Sequence, residues 1–144
     1  DFLSGSFQEV LPDPGGLGVE DPSAVRRVVF ASGKVGIEAL AAREKLGGAP
    51  VAIARVEQLY PWPYEGVANV LAQYPNAKEI FWLQEEPENM GAWNFIKGRL
   101  YEAHEDTHSI TRVSRTESGS PATGSKRISD QEQAELFHKI LTVD

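Results

Sequence analysis

Cysteine is absent from the 144 residues, which excludes disulfides, thiolate metal sites and thiol nucleophiles. Long apolar runs are missing too, and no basic leader precedes an apolar stretch. The reading therefore expects no membrane span, no membrane partner and no targeting segment in this chain. Positive charge is in the minority, with 14 Lys and Arg against 21 Asp and Glu and a net charge of −7. Phosphate contacts supply most nucleic-acid affinity, and these basic residues form no stripe interleaved with aromatics, so no nucleic-acid partner is expected. A starting methionine is also lacking. Asp1 opens the chain, which suggests a piece of a longer polypeptide.

What is present is ordinary globular material, 41% hydrophobic and 24% charged, in a length that suits one domain without repeats. Residues 7–11 alternate weakly as a short edge strand. Pro12-Asp13-Pro14-Gly15-Gly16 and Asp21-Pro22-Ser23 then break regular structure, so residues 1–24 read as an extension and linker and residues 25–144 as the domain proper. Short β-branched and aromatic runs at 27–31, 51–56, 79–83 and 109–114 predict strands. Between them, apolar positions at helical spacing predict helices over 34–46, from Pro63 to about Tyr74, and from Asn89 or Gly91 to about Ala103. A last helix is expected over 129–141, with Ser129 as its cap and Glu132 at capping-box spacing. Strands alternating with helices predict an α/β fold of three layers: a mostly parallel sheet of about five strands with helices on both faces.

Ligands of such sheets gather outside the strands' carboxyl ends, and three turns there hold chemistry-bearing residues. Ser32-Gly33-Lys34 has the makings of an anion cradle, although the first glycine of a P-loop is missing, and equally those of a plain strand-to-helix turn. Gln58, Tyr60 and Trp62, in the segment Arg55-Val56-Glu57-Gln58-Leu59-Tyr60-Pro61-Trp62-Pro63, have the amphipathic character of interface residues. Gln84-Glu85-Glu86-Pro87-Glu88-Asn89-Met90-Gly91-Ala92-Trp93 places adjacent acids at a strand end. Consecutive strand residues point to opposite faces, so Glu85 and Glu86 are read as a helix-dipole or interface feature rather than an acid/base pair. Gln58, Tyr60, Trp62, Gln84, Glu85, Glu86, Asn89 and Trp93 are the expected interface set. His104, His108 and His138 lack a nearby acid and nucleophile, and their spacing is read as matching no ligand-bearing helix. No catalytic, cofactor-binding or metal-binding residue is assigned. The loop over 118–125 suits either phosphate binding or close packing on a partner, and the sequence does not choose.

With these segments set out, the chain resembles the carboxy-terminal, transketolase-like domain of the decarboxylating component of 2-oxoglutarate dehydrogenase. The resemblance rests on Arg-Val-Glu-Gln-Leu-Tyr-Pro at 55–61, Gln-Glu-Glu-Pro-Glu-Asn-Met-Gly-Ala-Trp at 84–93 and Ser-Pro-Ala-Thr-Gly-Ser at 120–125. Shorter matches at 7–11, 31–35 and 74–78 extend it over nearly the whole chain in order. It implies an oxidoreductase of the tricarboxylic acid cycle whose intact subunit is a homodimer. That subunit would bind thiamine diphosphate and Mg2+ in upstream domains, decarboxylate 2-oxoglutarate and pass the succinyl group to a lipoyl arm. The implied partners are a second copy of the subunit and the dihydrolipoamide succinyltransferase component, in a bacterial cytoplasm or a mitochondrial matrix. None of the family's cofactor ligands falls on a residue of this chain.

The resemblance leaves a structural, dimer-supporting role for this domain, inactive alone. The alternatives are a regulatory nucleotide-binding or complex-docking module, a 2-oxoadipate dehydrogenase relative, and an independent doubly wound enzyme. Some actinobacterial relatives bind acetyl-CoA as an activator here. Aligned with them, Ser6, Glu9, Gln58, Glu65 and Gly66 stand where those proteins carry lysine, serine, glutamine and two arginines. Only Gln58 is kept, three cations are lost and Glu9 and Glu65 stand nearby, so no such activation is expected. Gly36-Ile37 also stand where relatives carry two aromatics, and the segment Arg127-Ile128-Ser129 lacks their histidine.

Overall fold

The computed structural model describes residues 5–119 and 124–144. Five strands form one sheet: β1 (Val10–Leu11), β2 (Arg27–Ala31), β3 (Val51–Val56), β4 (Glu79–Pro87) and β5 (Ser109–Arg115), in the order β1-β3-β2-β4-β5. β2 pairs in parallel with both β3 and β4, and β5 in parallel with β4, whereas β1 runs antiparallel along β3. Four helices complete the chain: α1 (Lys34–Leu46), α2 (Tyr64–Ala72), α3 (Trp93–His104) and α4 (Lys126–Leu141).

The three layers follow from strand alternation. Val28, Phe30, Ile80 and Trp82 point to one face and join Val67, Val70, Ile96 and Leu100 of α2 and α3. Their neighbours Val29, Ala31, Phe81 and Leu83 point to the other, where Val35 and Ala39 of α1 meet Leu136 and Ile140 of α4. Successive strand side chains emerge on opposite faces, so a central strand needs an unbroken apolar run to fill two cores. β2 meets that need at Val28, Val29, Phe30 and Ala31, all buried, with the buried Arg27 at its start. The three-layer, mostly parallel sheet expected from the sequence is the one observed.

Residues 12–24, read as a surface linker, are tied to the body. Asp13 lies beneath the chain and bonds Arg43 of α1 through both carboxylate oxygens, at 2.5 and 3.1 Å. It also accepts the Ile53 amide at 2.6 Å. Both side chains of this pair are 1% exposed. The backbone passes so close that a Cβ on Gly18 would lie 2.3 Å from the Ala49 carbonyl oxygen, and φ there is +93°.

Two helix starts differ from expectation. α4 begins at Lys126, three residues before Ser129, so Ser129 is interior rather than a cap. The Ser129 hydroxyl instead accepts from Arg115 at 3.1 Å, and Glu132 pairs with the same arginine at 3.5 Å. α3 begins at Trp93 rather than Asn89 or Gly91, because β4 continues to Pro87 and a turn intervenes. At the amino edge of the sheet Arg27 fastens the far end of α4. Its Nη1 donates to the carbonyls of Lys139, Ile140 and Thr142 at 2.8–3.2 Å, while Glu79 pairs with it at 2.9 Å. Cations at a helix carboxyl end satisfy orphan carbonyls and offset the dipole.

Candidate functional site

The carboxyl edge of the sheet carries a cleft of about 410 Å³, walled by Ser32, Gly33 and Lys34 after β2 and by Gln84, Glu85 and Glu86 at the end of β4. Leu59, Gly91 and Ala92 close its sides over the buried Trp82. Gly33 turns the chain from β2 into α1 with φ +75° and ψ −153°, a conformation that favours glycine. Lys34, the first residue of α1, is paired with Glu38 one turn on at 2.8 Å. That hydrogen bond and the Glu38 charge hold the ammonium above its ordinary pKa, with a further contribution from Glu85. The cation of the candidate anion cradle is therefore already engaged by an acid.

Gln84 organises the opposite wall. It is 3% exposed, and its carboxamide is used at both ends. Oε1 accepts from the Trp82 indole and from the Trp93 amide, each at 3.1 Å. Nε2 donates to the carbonyls of Pro87 at 3.0 Å and Met90 at 2.8 Å, with a longer contact of 3.4 Å to that of Glu86. One amide thus closes the 84–93 segment into a rigid turn, replacing the ladder that the strand leaves behind. Gly91, at φ +70°, is part of the same fit. A Cβ there would stand 3.1 Å from both Gln84 Nε2 and Glu86 Oε2.

The eight expected interface residues divide into two groups. Trp62, Gln84 and Trp93 turn inward: Trp62 meets Trp82 edge-on at 6.4 Å, and Trp93 meets Tyr101 edge-on at 6.5 Å. Buried and engaged within the domain, these three build the wall rather than its outer surface. Tyr60, Glu86 and Asn89 are exposed, with Gln58 and Glu85 half-buried beside them. Tyr60 is 77% exposed and rests edge-on against Phe95 of α3, whose other contact is the Arg99 guanidinium 4.0 Å above its ring. Sequence reasoning missed Phe95, because only the close approach of α3 to the Tyr60 loop adds it to the patch. Asn89 exchanges two hydrogen bonds with the Ser118 backbone. Within the 118–125 loop, Ser120, Pro121, Ala122 and Thr123 lie outside the described residues.

Next to the cleft, β1 delivers the amino-terminal stretch. The Glu9 carbonyl accepts the amides of Glu57 and Gln58 at 2.8 and 3.2 Å, and its carboxylate accepts from Gln58 Nε2 at 3.1 Å. Gly66 of α2 faces Val10 so closely that a Cβ would come within 2.8 Å of Val10 Cγ2. No room exists there for the arginine found in the acetyl-CoA pattern without moving β1. Among the described residues, no three His, Asp or Glu side chains are grouped to hold a metal ion. The carboxylates of Glu85 and Glu86 that line the cleft also make it a poor fit for a diphosphate.

Fold and site together define a three-layer α/β domain whose carboxyl-edge wall is held rigid by internal hydrogen bonds and presents acids and aromatic rings outward. Residues 1–141 match the family described as "2-oxoglutarate dehydrogenase C-terminal". The chain is 44% identical over 146 residues to the mitochondrial 2-oxoglutarate dehydrogenase of Caenorhabditis elegans, covering 99% of this chain and 14% of that protein. It is 39% identical to the 2-oxoglutarate dehydrogenase E1 component of Geobacillus kaustophilus, covering 98% and 15% respectively. The E1 component of Azotobacter vinelandii is also 39% identical, over 99% and 15%. The chain belongs to the 2-oxoglutarate dehydrogenase C-terminal family, and it spans about one seventh of the length of these relatives.

Proposed function

We propose that this chain is the carboxy-terminal framework domain of a 2-oxoglutarate dehydrogenase E1 component, with its carboxyl edge seated against the rest of the polypeptide. The intact enzyme would bind thiamine diphosphate and Mg2+ through other domains, act as a homodimer, decarboxylate 2-oxoglutarate and hand the succinyl group to the lipoyl arm of its succinyltransferase partner. The observation that carries this reading is the antiparallel course of β1. Val10 pairs with Val56, so the chain comes in at the same edge of the sheet that bears the cleft, the Tyr60–Phe95 pair and Glu85 and Glu86. The chain leading into Val10 therefore runs beside the outward-facing patch, where exposed aromatics and the Glu85 and Glu86 carboxylates suit contact with a basic, partly apolar surface.

Tyr60→Ala combined with Glu86→Lys tests the contact in the intact enzyme. Surface changes of this kind alter domain stability by about 0.5 kcal/mol or less. Loss of an interface tyrosine weakens association by about 1–2 kcal/mol, roughly tenfold in the assembly constant. The expected result is a weaker dimer by sedimentation and lower turnover at an unchanged melting temperature. Unchanged dimerisation and turnover would contradict the assignment.

Acetyl-CoA is expected not to bind at the β1–α2 corner. Glu9 and Glu65 stand there in place of the serine and arginine of the activated pattern, Glu9 already holds Gln58, and Gly66 lies against Val10. Titration calorimetry should show no heat of binding, and micromolar affinity would refute this.

A further inference from the structure

His104 ends α3, yet the helical turn does not stop with it. The amide of His108 donates to the His104 carbonyl at 2.9 Å, an i to i−4 bond that carries one more turn of helical geometry past the last helix residue. The sequence reading assigns these histidines no ligand role, and the structure adds that His104 and His108 share this turn. Residues four apart on a helical turn share a face, and two imidazoles at that spacing chelate a metal ion in many helical sites. The rings stand with centroids 6.2 Å apart at 88°. Imidazole nitrogen binds such metals at about 2.0–2.1 Å, so a shared ion brings two ring centres to roughly 5–6 Å, within a small side-chain rotation of the observed pair.

Hydrogen bonding also fixes which nitrogen of His108 is available. Thr107 Oγ1 lies 3.2 Å from the His104 carbonyl and 2.8 Å from His108 Nδ1. A carbonyl only accepts, so the single hydroxyl proton goes to it, and both contacts are hydrogen bonds only if Nδ1 carries a proton and donates to Oγ1. Nε2 of His108 then holds the free lone pair. An imidazole whose other nitrogen is anchored in this way has the support seen behind metal-bound histidines. Both rings line a cleft of about 290 Å³ between α2 and the end of α3, with Leu71, Tyr74 and Lys78. Burial lowers the pKa of each ring, with His108 adding to the effect at His104 and Lys78 at His108.

We propose that His104 and His108 form a two-imidazole site for a divalent transition metal of the copper, nickel and zinc group, with water completing its coordination. Imidazole donors without thiolate suit these ions, and affinity within the group peaks at copper. Lys78 also lines the cleft and opposes the bound ion, though its exposed stem lets the ammonium move into water.

Cu2+ alone is the probe, followed by calorimetry and electron paramagnetic resonance on the purified chain. The expected result is one equivalent bound, with nitrogen hyperfine structure from two imidazoles. His104→Gln and His108→Gln should each weaken binding by about tenfold or more and leave a one-nitrogen spectrum, while Thr107→Val should weaken it by about 10- to 100-fold without removing a ligand. His138→Gln should leave affinity and spectrum unchanged, and Lys78→Gln should strengthen binding. Binding that survives both single substitutions at His104 and His108, or that moves with His138, would show an adventitious surface ion and overturn the proposal. So would an absence of binding by a chain whose circular dichroism shows it folded.

Discussion

Asp13→Ala is expected to lower the unfolding free energy by about 3–5 kcal/mol, the cost typical of removing one partner from a buried ion pair. The reason is local. Asp13 receives Arg43 at both oxygens, the Ile53 amide at 2.6 Å and the Gly15 amide at 2.8 Å. Arg43 also donates to the carbonyls of Val51 and Gly15, each at 2.9 Å, but those are dipoles, and the half-exposed Glu44 carboxylate stands only at 4.0 Å. Without Asp13 a fully buried guanidinium is left without its carboxylate, the Ile53 amide loses its acceptor, and residues 12–24 lose their anchor to the sheet. The pair itself has a smaller net worth, because burying both charges costs nearly what their attraction returns. The double variant Asp13→Leu with Arg43→Met should therefore recover much of the loss, a strong coupling in a double-mutant cycle. Urea unfolding followed by circular dichroism reads both results. A loss below about 1 kcal/mol for Asp13→Ala would mean that the loop does not close over the arginine.

Gln84→Leu is the second large effect, at about 3 kcal/mol, since several buried polar groups lose their partner and each costs about 1–3 kcal/mol before relaxation. The Trp82 indole and the Trp93 amide lose an acceptor, and the carbonyls of Pro87 and Met90 lose a donor. Leucine fills the space, so the loss reports hydrogen bonding more than a cavity. Gln84→Glu separates the two ends of the amide. It keeps an acceptor for the two N–H groups but turns a carboxylate toward two carbonyl oxygens, and it should be at least as damaging. In the intact enzyme both variants should disturb the carboxyl-edge patch as well, because Glu85, Glu86 and Asn89 are displayed by the turn that Gln84 closes. Equal stability of Gln84→Leu and the unaltered chain would show that this turn is held by other means.

Several parts of this architecture were legible in the sequence for a physical reason. A strand buried on both faces needs apolar residues in succession, so Val28 to Ala31 of β2 and Val51 to Ala54 of β3 stand out as unbroken runs. Gly47, at φ +87°, ends α1 at the close of the predicted span 34–46. What escaped depends on partners distant in sequence. Asp13 resembles a loop acid until the chain brings Arg43, thirty residues away, beneath it. Ser129 and Glu132 have capping-box spacing, but both serve Arg115 on β5, so the helix starts earlier at Lys126. Gln84 lies near the carboxyl end of β4, and Trp93 opens α3 after the turn that follows. Their inward direction could not be read, because a strand that continues to Pro87 and a turn that closes on one amide leave no periodic signal. The outward set of Tyr60, Glu86 and Asn89 was legible as residue types, whereas Phe95 joined it only through tertiary packing.

The central claim is that these 144 residues provide framework to an active centre built elsewhere in a longer polypeptide. Consumption of 2-oxoglutarate, measured side by side for the purified chain and the intact polypeptide with thiamine diphosphate and Mg2+ supplied to both, tests it most directly. Turnover is expected from the intact enzyme and none from the folded chain alone. Turnover by the chain would contradict it.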